Sequence, residues 1–256
     1  MGLFNRPAKL GAKLATRTTL LLRADPGDAL LDAARLYDPQ VRRVRDRLVF
    51  QNGVLLIGPV TVTPEIERRA GLPAGMALAW YVGAGGLSAS QRRSHEAVVD
   101  DGDHLVTGLA DRLGGIVQYS SPQAKLALIA SVYSERDLPV DRVAEVLRPY
   151  AGALRIDEEA AETYTLDGSE APFLVFYRSP RLYFKENGPP AAGAMRSRPL
   201  CHWDLHAAYS PEDAGREVCL KVGNAALALA GETGGIALDV LGFIINSADD
   251  LLPRSR

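Results

Sequence analysis

Leu109-Ala110-Asp111-Arg112-Leu113-Gly114-Gly115-Ile116 recurs near the end of the chain as Leu229-Ala230-Gly231-Glu232-Thr233-Gly234-Gly235-Ile236, and five of the eight positions are identical. Each copy ends a run of apolar residues at helical spacing, breaks it with paired glycines and opens a strand-like run. Leu105, Val106, Leu109, Ala110 and Leu113 form one stripe of the first helix; Val218, Val222, Ala225, Ala226 and Leu229 form one of the second. Short matches in small residues arise by chance, but a match that also closes the same helix-turn-strand order points to an internal duplication.

Upstream of each copy the elements run in the same order. In the first half, residues 18–23 read as a buried strand. Asp25 and Pro26 then open a helix carrying Leu30, Leu31, Ala34 and Tyr37, which stops at Asp38-Pro39. Residues 48–62 hold two or three short strands, with Asn52-Gly53 as a hairpin turn and Gly58-Pro59 as a bend. Thr63-Pro64-Glu65 starts a short helix that Gly71 ends, residues 76–82 form a strand, Gly83 to Gly86 a turn, and Asp103 caps the helix that leads to Gly114-Gly115 and a strand at 116–119. In the second half, residues 126–133 read as a strand. Val140, Val143, Val146, Leu147 and Tyr150 mark a helix ended by Pro149 and Gly152, and strands are expected at 154–156, 173–177, 181–184 and 201–208. Ser210 with Pro211, Glu212 and Asp213 begins the long helix, and 236–245 is the last strand.

Each half reduces to β-α-β-β-α-β, the order of a ferredoxin-like sandwich. The fold class expected is therefore α+β, with two tandem ferredoxin-like halves arranged as a pseudo-dimer. Residues 1–17 form a basic N-terminal tail with Arg6, Lys9, Lys13 and Arg17; residues 18–122 form the first half and 123–256 the second. A cleft on the pseudo-twofold is the default ligand site, and residues 186–199 read as a mobile loop. The alternative for the N-terminus is a weak interfacial or partner-binding helix with Leu3, Leu10 and Leu14 on one side.

The totals exclude several classes. With 256 residues, 29 basic against 31 acidic side chains and 47% hydrophobic content, the chain has ample core and no overall field for nucleic acid or anionic membranes. Its two cysteines, Cys201 and Cys219, are too few for a stapled secreted scaffold. No apolar run reaches the roughly 18 to 20 residues of a membrane-spanning helix. A cytoplasmic protein is expected.

The most chemical stretch is Cys201-His202-Trp203-Asp204-Leu205-His206. On a strand, His202, Asp204 and His206 share one face while Trp203 and Leu205 share the other. Two imidazoles and a carboxylate could ligate Zn or Fe(II); the alternative is a polar face turned to solvent with Trp203 in the core. Cys201 and His202 diverge on a strand, which argues against a Cys-His nucleophile, and Cys219 reads as core. The other histidines, His95 and His104, have no comparable pattern. The Gly83 to Gly86 turn, with Ser88 and Ser90, lacks the remaining residues of a phosphate-binding loop. Arginines cluster at Arg42, Arg43, Arg45 and Arg47 and at Arg68, Arg69, Arg92 and Arg93, but aromatic residues are only 7% and sit in core-like patterns, so solvated surface is the expected reading. Asp157, Glu158, Glu159 and Glu162 read as a loop face. No catalytic set emerges, and the expectation is a non-enzymatic binding or regulatory protein for a protein partner or small ligand. The alternatives are a metal-dependent enzyme at His202, Asp204 and His206 and a nucleic-acid-associated factor.

Overall fold

The segment that composition marks as a basic tail is a helix, α1 (Pro7–Thr16), in the computed structural model, which describes residues 7–85, 95–119, 129–160, 163–168, 173–178, 189–195, 201–207 and 211–252. Its spacing explains the difference. Leu10 and Leu14 lie one turn apart, Leu14 is fully buried, and Gly11 lets the helix approach Arg69 closely. After it come β1 (Thr19–Leu22), α2 (Ala29–Tyr37), β2 (Arg42–Val44), β3 (Arg47–Val49), β4 (Val54–Thr61), α3 (Pro64–Ala70), β5 (Leu78–Ala84), α4 (His95–Leu113) and β6 (Ile116–Gln118). The start of α3 is the one its sequence announces. Thr63 Oγ1 accepts the Ile66 N–H at 3.3 Å, proline follows the cap, and Gly71 ends the helix at φ 63°.

The six strands lie in the order β2-β3-β4-β5-β1-β6, every neighbour antiparallel. Side-chain alternation divides the sheet into two faces. Leu21, Ala79 and Tyr81 join Leu14, Ile66 and Ala70 in a core beneath α1 and α3. Leu20, Trp80 and Val82 turn the other way, toward α4, where Gly102 leaves room for Val82; α2 packs beside α4.

The chain divides into two compact units, the first ending at Ala124 and the second beginning at Lys125. The second holds β7 (Ile129–Ser134), α5 (Val140–Ala151), β8 (Leu154–Ala160), β9 (Thr163–Gly168), β10 (Phe173–Arg178), α6 (Pro190–Gly193), β11 (Cys201–Ala207), α7 (Pro211–Thr233), β12 (Ile236–Asp239) and a 3-10 turn at Ala248–Leu251. Its strands lie in the order β8-β9-β10-β11-β7-β12, again antiparallel throughout. Replacing each strand of the first sheet by the one six numbers later reproduces the second. Ala130, Val132, Cys201, Trp203 and Leu205 form the core with α5 and α7.

The repeated glycine pairs do the same work in both units. Gly114 and Gly234 stand in the left-handed region at φ 65° and 67°, and Gly115 and Gly235 donate their N–H to Ala110 O and Ala230 O at 2.8 and 2.9 Å. The second glycine of each pair then lies against the first strand of its sheet. A Cβ at Gly115 would stand 2.9 Å from Leu21 O, and one at Gly235 would run into Tyr133 O.

Several expectations need correction. α4 begins at His95 and Asp103 is buried within it, because the apolar stripe extends back to Val98. Pro149 lies inside α5, which ends at Gly152 instead. Gly83 and Ala84 belong to β5. Asp157, Glu158 and Glu159 lie on β8 and not in a loop, since β9 pairs with it. The last strand stops at Asp239, whose carboxylate accepts the N–H groups of Leu241 and Phe243 at 2.9 Å each and turns the chain. Glu162, Ser88, Ser90, Arg92, Arg93 and the strand expected at 181–184 lie outside the described residues, as do 186–188 and 196–199 of the expected loop, within which α6 buries Ala191 and Ala192. Among the described residues no helix is long and apolar enough to cross a membrane.

Candidate functional site

Strand β11 is central in its sheet, between β10 and β7, so both of its edges are paired and its side chains stand on the two faces of the sheet. Trp203 is 0% exposed and packs toward α5 and α7, which places His202, Asp204 and His206 on the opposite face. That face is not simply solvated. His202 is 4% exposed and its ring stacks on Tyr133, with centroids 5.4 Å apart and planes 13° from parallel. Tyr133 is its cross-strand partner, and Ser131 is the partner of Asp204.

These pairings join four side chains. Ser131 Oγ donates to Asp204 Oδ1 at 2.6 Å, and His202 Nε2 stands 3.3 Å from Asp204 Oδ2. Burial alone would raise the Asp204 pKa. Its bond to His202 and the charges of His202 and His206, together with the Ser131 hydroxyl, outweigh that penalty and hold the carboxyl below its ordinary range. With Asp204 ionised, the histidine bond requires the proton on Nε2. The Asp204 side chain keeps 24% of its exposure, so the carboxylate is reachable from outside.

His206 is half-buried two positions further along the same strand face. It influences the charge of Asp204, yet among the described residues no group of three His, Cys, Asp or Glu side chains is set to hold a metal ion. Cys201 faces the core, where its Sγ donates to Arg136 O at 2.9 Å; burial and then the charge of Asp137 push its thiol up to about 12. Such a thiol is not a nucleophile at neutral pH. Burial also raises Cys219, within α7. The hydroxyl of Ser131 is likewise not activated, because it donates to the carboxylate and not to the imidazole, whereas a serine nucleophile needs the imidazole as its base.

Ser131 and Tyr133 are the site residues that sequence reading missed. Alternation along the expected strand puts the two on one face, but only the register between β7 and β11 shows which face they join. Registers also align the two units. Trp80 lies opposite Leu20 with Val117 one strand beyond, and Trp203 lies opposite Val132 with Ala237 one strand beyond. The chain's two tryptophans thus hold equivalent places. On this alignment Ser131, Tyr133, His202, Asp204 and His206 stand where the first unit has Thr19, Leu21, Ala79, Tyr81 and Gly83.

No family model matches the chain, no curated protein matches it, and no solved structure matches it.

Proposed function

We propose that this chain is a non-enzymatic binding protein, built from two tandem ferredoxin-like halves that arose by internal duplication, and that its second half takes a small ligand on the polar sheet face around Asp204. One observation carries the reading. Where the first unit has a sealed apolar face of Leu21, Ala79 and Tyr81 beneath two helices, the second has Tyr133, His202 and Asp204 linked by hydrogen bonding and stacking. Burying polar side chains is costly unless they are hydrogen-bonded, as Ser131, His202 and Asp204 are, and a partly exposed ionised carboxylate framed by imidazole, hydroxyl and phenol offers directional contacts to a polar ligand.

The strand order supports the fold half of this reading. Within each sheet the four strands β6-β1-β5-β4, or β12-β7-β11-β10, follow the ferredoxin-like arrangement, extended by a two-stranded hairpin at one edge. The matching tryptophan registers and glycine pairs support the duplication. Against catalysis stand the raised Cys201 thiol and the orientation of the Ser131 hydroxyl.

The test is a small-molecule screen read by imidazole NMR, which the four histidines make simple to follow. Compounds that bind should shift the His202 and His206 signals and leave His104 in place, and Asp204→Asn should abolish those shifts while the fold is kept. Binding that leaves His202 and His206 unmoved, or that survives Asp204→Asn unchanged, would move the ligand site elsewhere.

A further inference from the structure

The hairpin of β2 and β3 concentrates positive charge at one edge of the first sheet. Four of the six residues from 42 to 47 are arginine, and among the described residues β2, the outermost strand, pairs with β3 alone. Arg42 and Arg43 are exposed, as is Arg45, which occupies the turn at φ 55°, a conformation that glycine or asparagine usually supplies. Among the described residues the only ion pair these four arginines make joins Arg47 to its neighbour Asp46 at 3.9 Å. The edge is held firmly, since Leu48 and Phe50 are buried and Gly58 donates its N–H to Asp46 O at 2.8 Å. Its register divides the charge between the two faces of the sheet. Arg43 pairs with Leu48 and so shares the face of Leu56 and Val82, whereas Arg42 pairs with Val49 and Arg47 lies in one row with Ile57 and Tyr81, on the face that α1 covers. Lys13 stands over the Tyr81 ring, its Nζ 5.7 Å from the centroid, and Tyr81 is two strand spacings, about 10 Å, from Arg47. Lys9 and Lys13 are exposed on α1, which carries no acidic residue.

We propose that this edge is a second binding surface, independent of the Asp204 face, and that its occupant is double-stranded DNA. Clustered guanidinium forks match phosphate. An edge charged on both faces meets two walls of phosphate, which a duplex groove offers, whereas a lipid surface offers a single plane. One sheet layer is about 10 Å thick, and the major groove of B-form DNA is about 12 Å wide. The major groove of A-form RNA is too narrow for side chains to read. The scarcity of exposed aromatic side chains weighs against single strands, whose bases stack on such rings, and not against a duplex, whose bases are already stacked. Lys9 and Lys13 extend the contact along one backbone. The whole chain has a net charge of -2 and does not attract a polyanion, so binding comes from the patch and is strongly salt-dependent.

Fluorescence anisotropy of a labelled DNA duplex of arbitrary sequence, titrated with the full chain, tests this. The duplex should bind at about 0.05 M salt, and with roughly six phosphate contacts the logarithm of affinity should fall against the logarithm of salt with a slope of about -5. R42Q/R43Q should weaken binding by roughly tenfold or more and make that slope shallower by about 2. R42K/R43K, which keeps the charge, should retain the parent slope, and R35Q, on the acidic side of the unit at α2, should leave binding unchanged. Circular dichroism melting of each variant separates loss of binding from loss of fold. No binding at about 0.05 M salt would overturn the proposal, as would binding that R42Q/R43Q leaves unaltered. Single-stranded DNA or duplex RNA bound as tightly as the DNA duplex would rule out the groove. Preference for phosphatidylserine-containing vesicles over the duplex would assign the edge to an anionic membrane instead.

Discussion

Trp203 shows how one side chain fixes which face of a strand does what. Because it is fully enclosed by α5 and α7, alternation leaves His202 and Asp204 no choice of side. Trp203→Ala should cost roughly 3 to 5 kcal/mol in denaturant unfolding, and Trp80→Ala a similar amount. A near-neutral Trp203→Ala would mean that the faces are reversed. Asp204 makes a second residue-level claim. Its folded-state pKa lies below its unfolded value, so it contributes stability above the ordinary carboxylate range and loses that contribution as pH falls through the folded value. Asp204→Asn should therefore flatten the fall in stability below about pH 4 relative to the parent protein. Parallel acid limbs in the two unfolding curves would contradict the pairing with His202. Cys201 supplies the third. Its raised thiol and complete burial predict no reaction with a thiol reagent at pH 8 in the folded protein and full reaction after unfolding, which absorbance of the released label reads directly.

The helix-Gly-Gly-strand junction is the element on which both halves turn. Gly115 and Gly235 have no space for a Cβ, since backbone of the first strand of each sheet lies against them. Alanine at either position should destabilise by roughly 1 to 3 kcal/mol through overpacking, whereas alanine at Gly114 or Gly234 carries chiefly the left-handed backbone penalty of about 1 kcal/mol. Equal effects at all four positions, measured by thermal unfolding, would contradict that division of labour. These junctions were legible in the sequence because glycine stops, the Thr63-Pro64 start and the apolar stripe of α4 are local signals. What escaped was non-local. β2, three residues of Arg-Arg-Val, becomes a strand only because β3 pairs with it. The candidate site divides along the same line. The shared face of His202, Asp204 and His206 follows from alternation, while Ser131 and Tyr133 enter through a register that no short stretch encodes.

At the scale of the whole molecule, two units share one strand order and one placement of tryptophan and glycine, and they differ most where the second unit exchanges apolar positions for titratable ones. One unit keeps its sheet face closed under α1 and α3, and the other presents a polar one. That asymmetry is why a binding role is proposed for the second unit. The competing account places a metal at His202, Asp204 and His206. Elemental analysis of untagged protein, read as metal atoms per chain, decides between them most directly. The binding account predicts no stoichiometric metal and an unchanged fold in His206→Ala; about one Zn or Fe per chain, lost in His206→Ala, would contradict it and make this face the centre of metal-dependent chemistry.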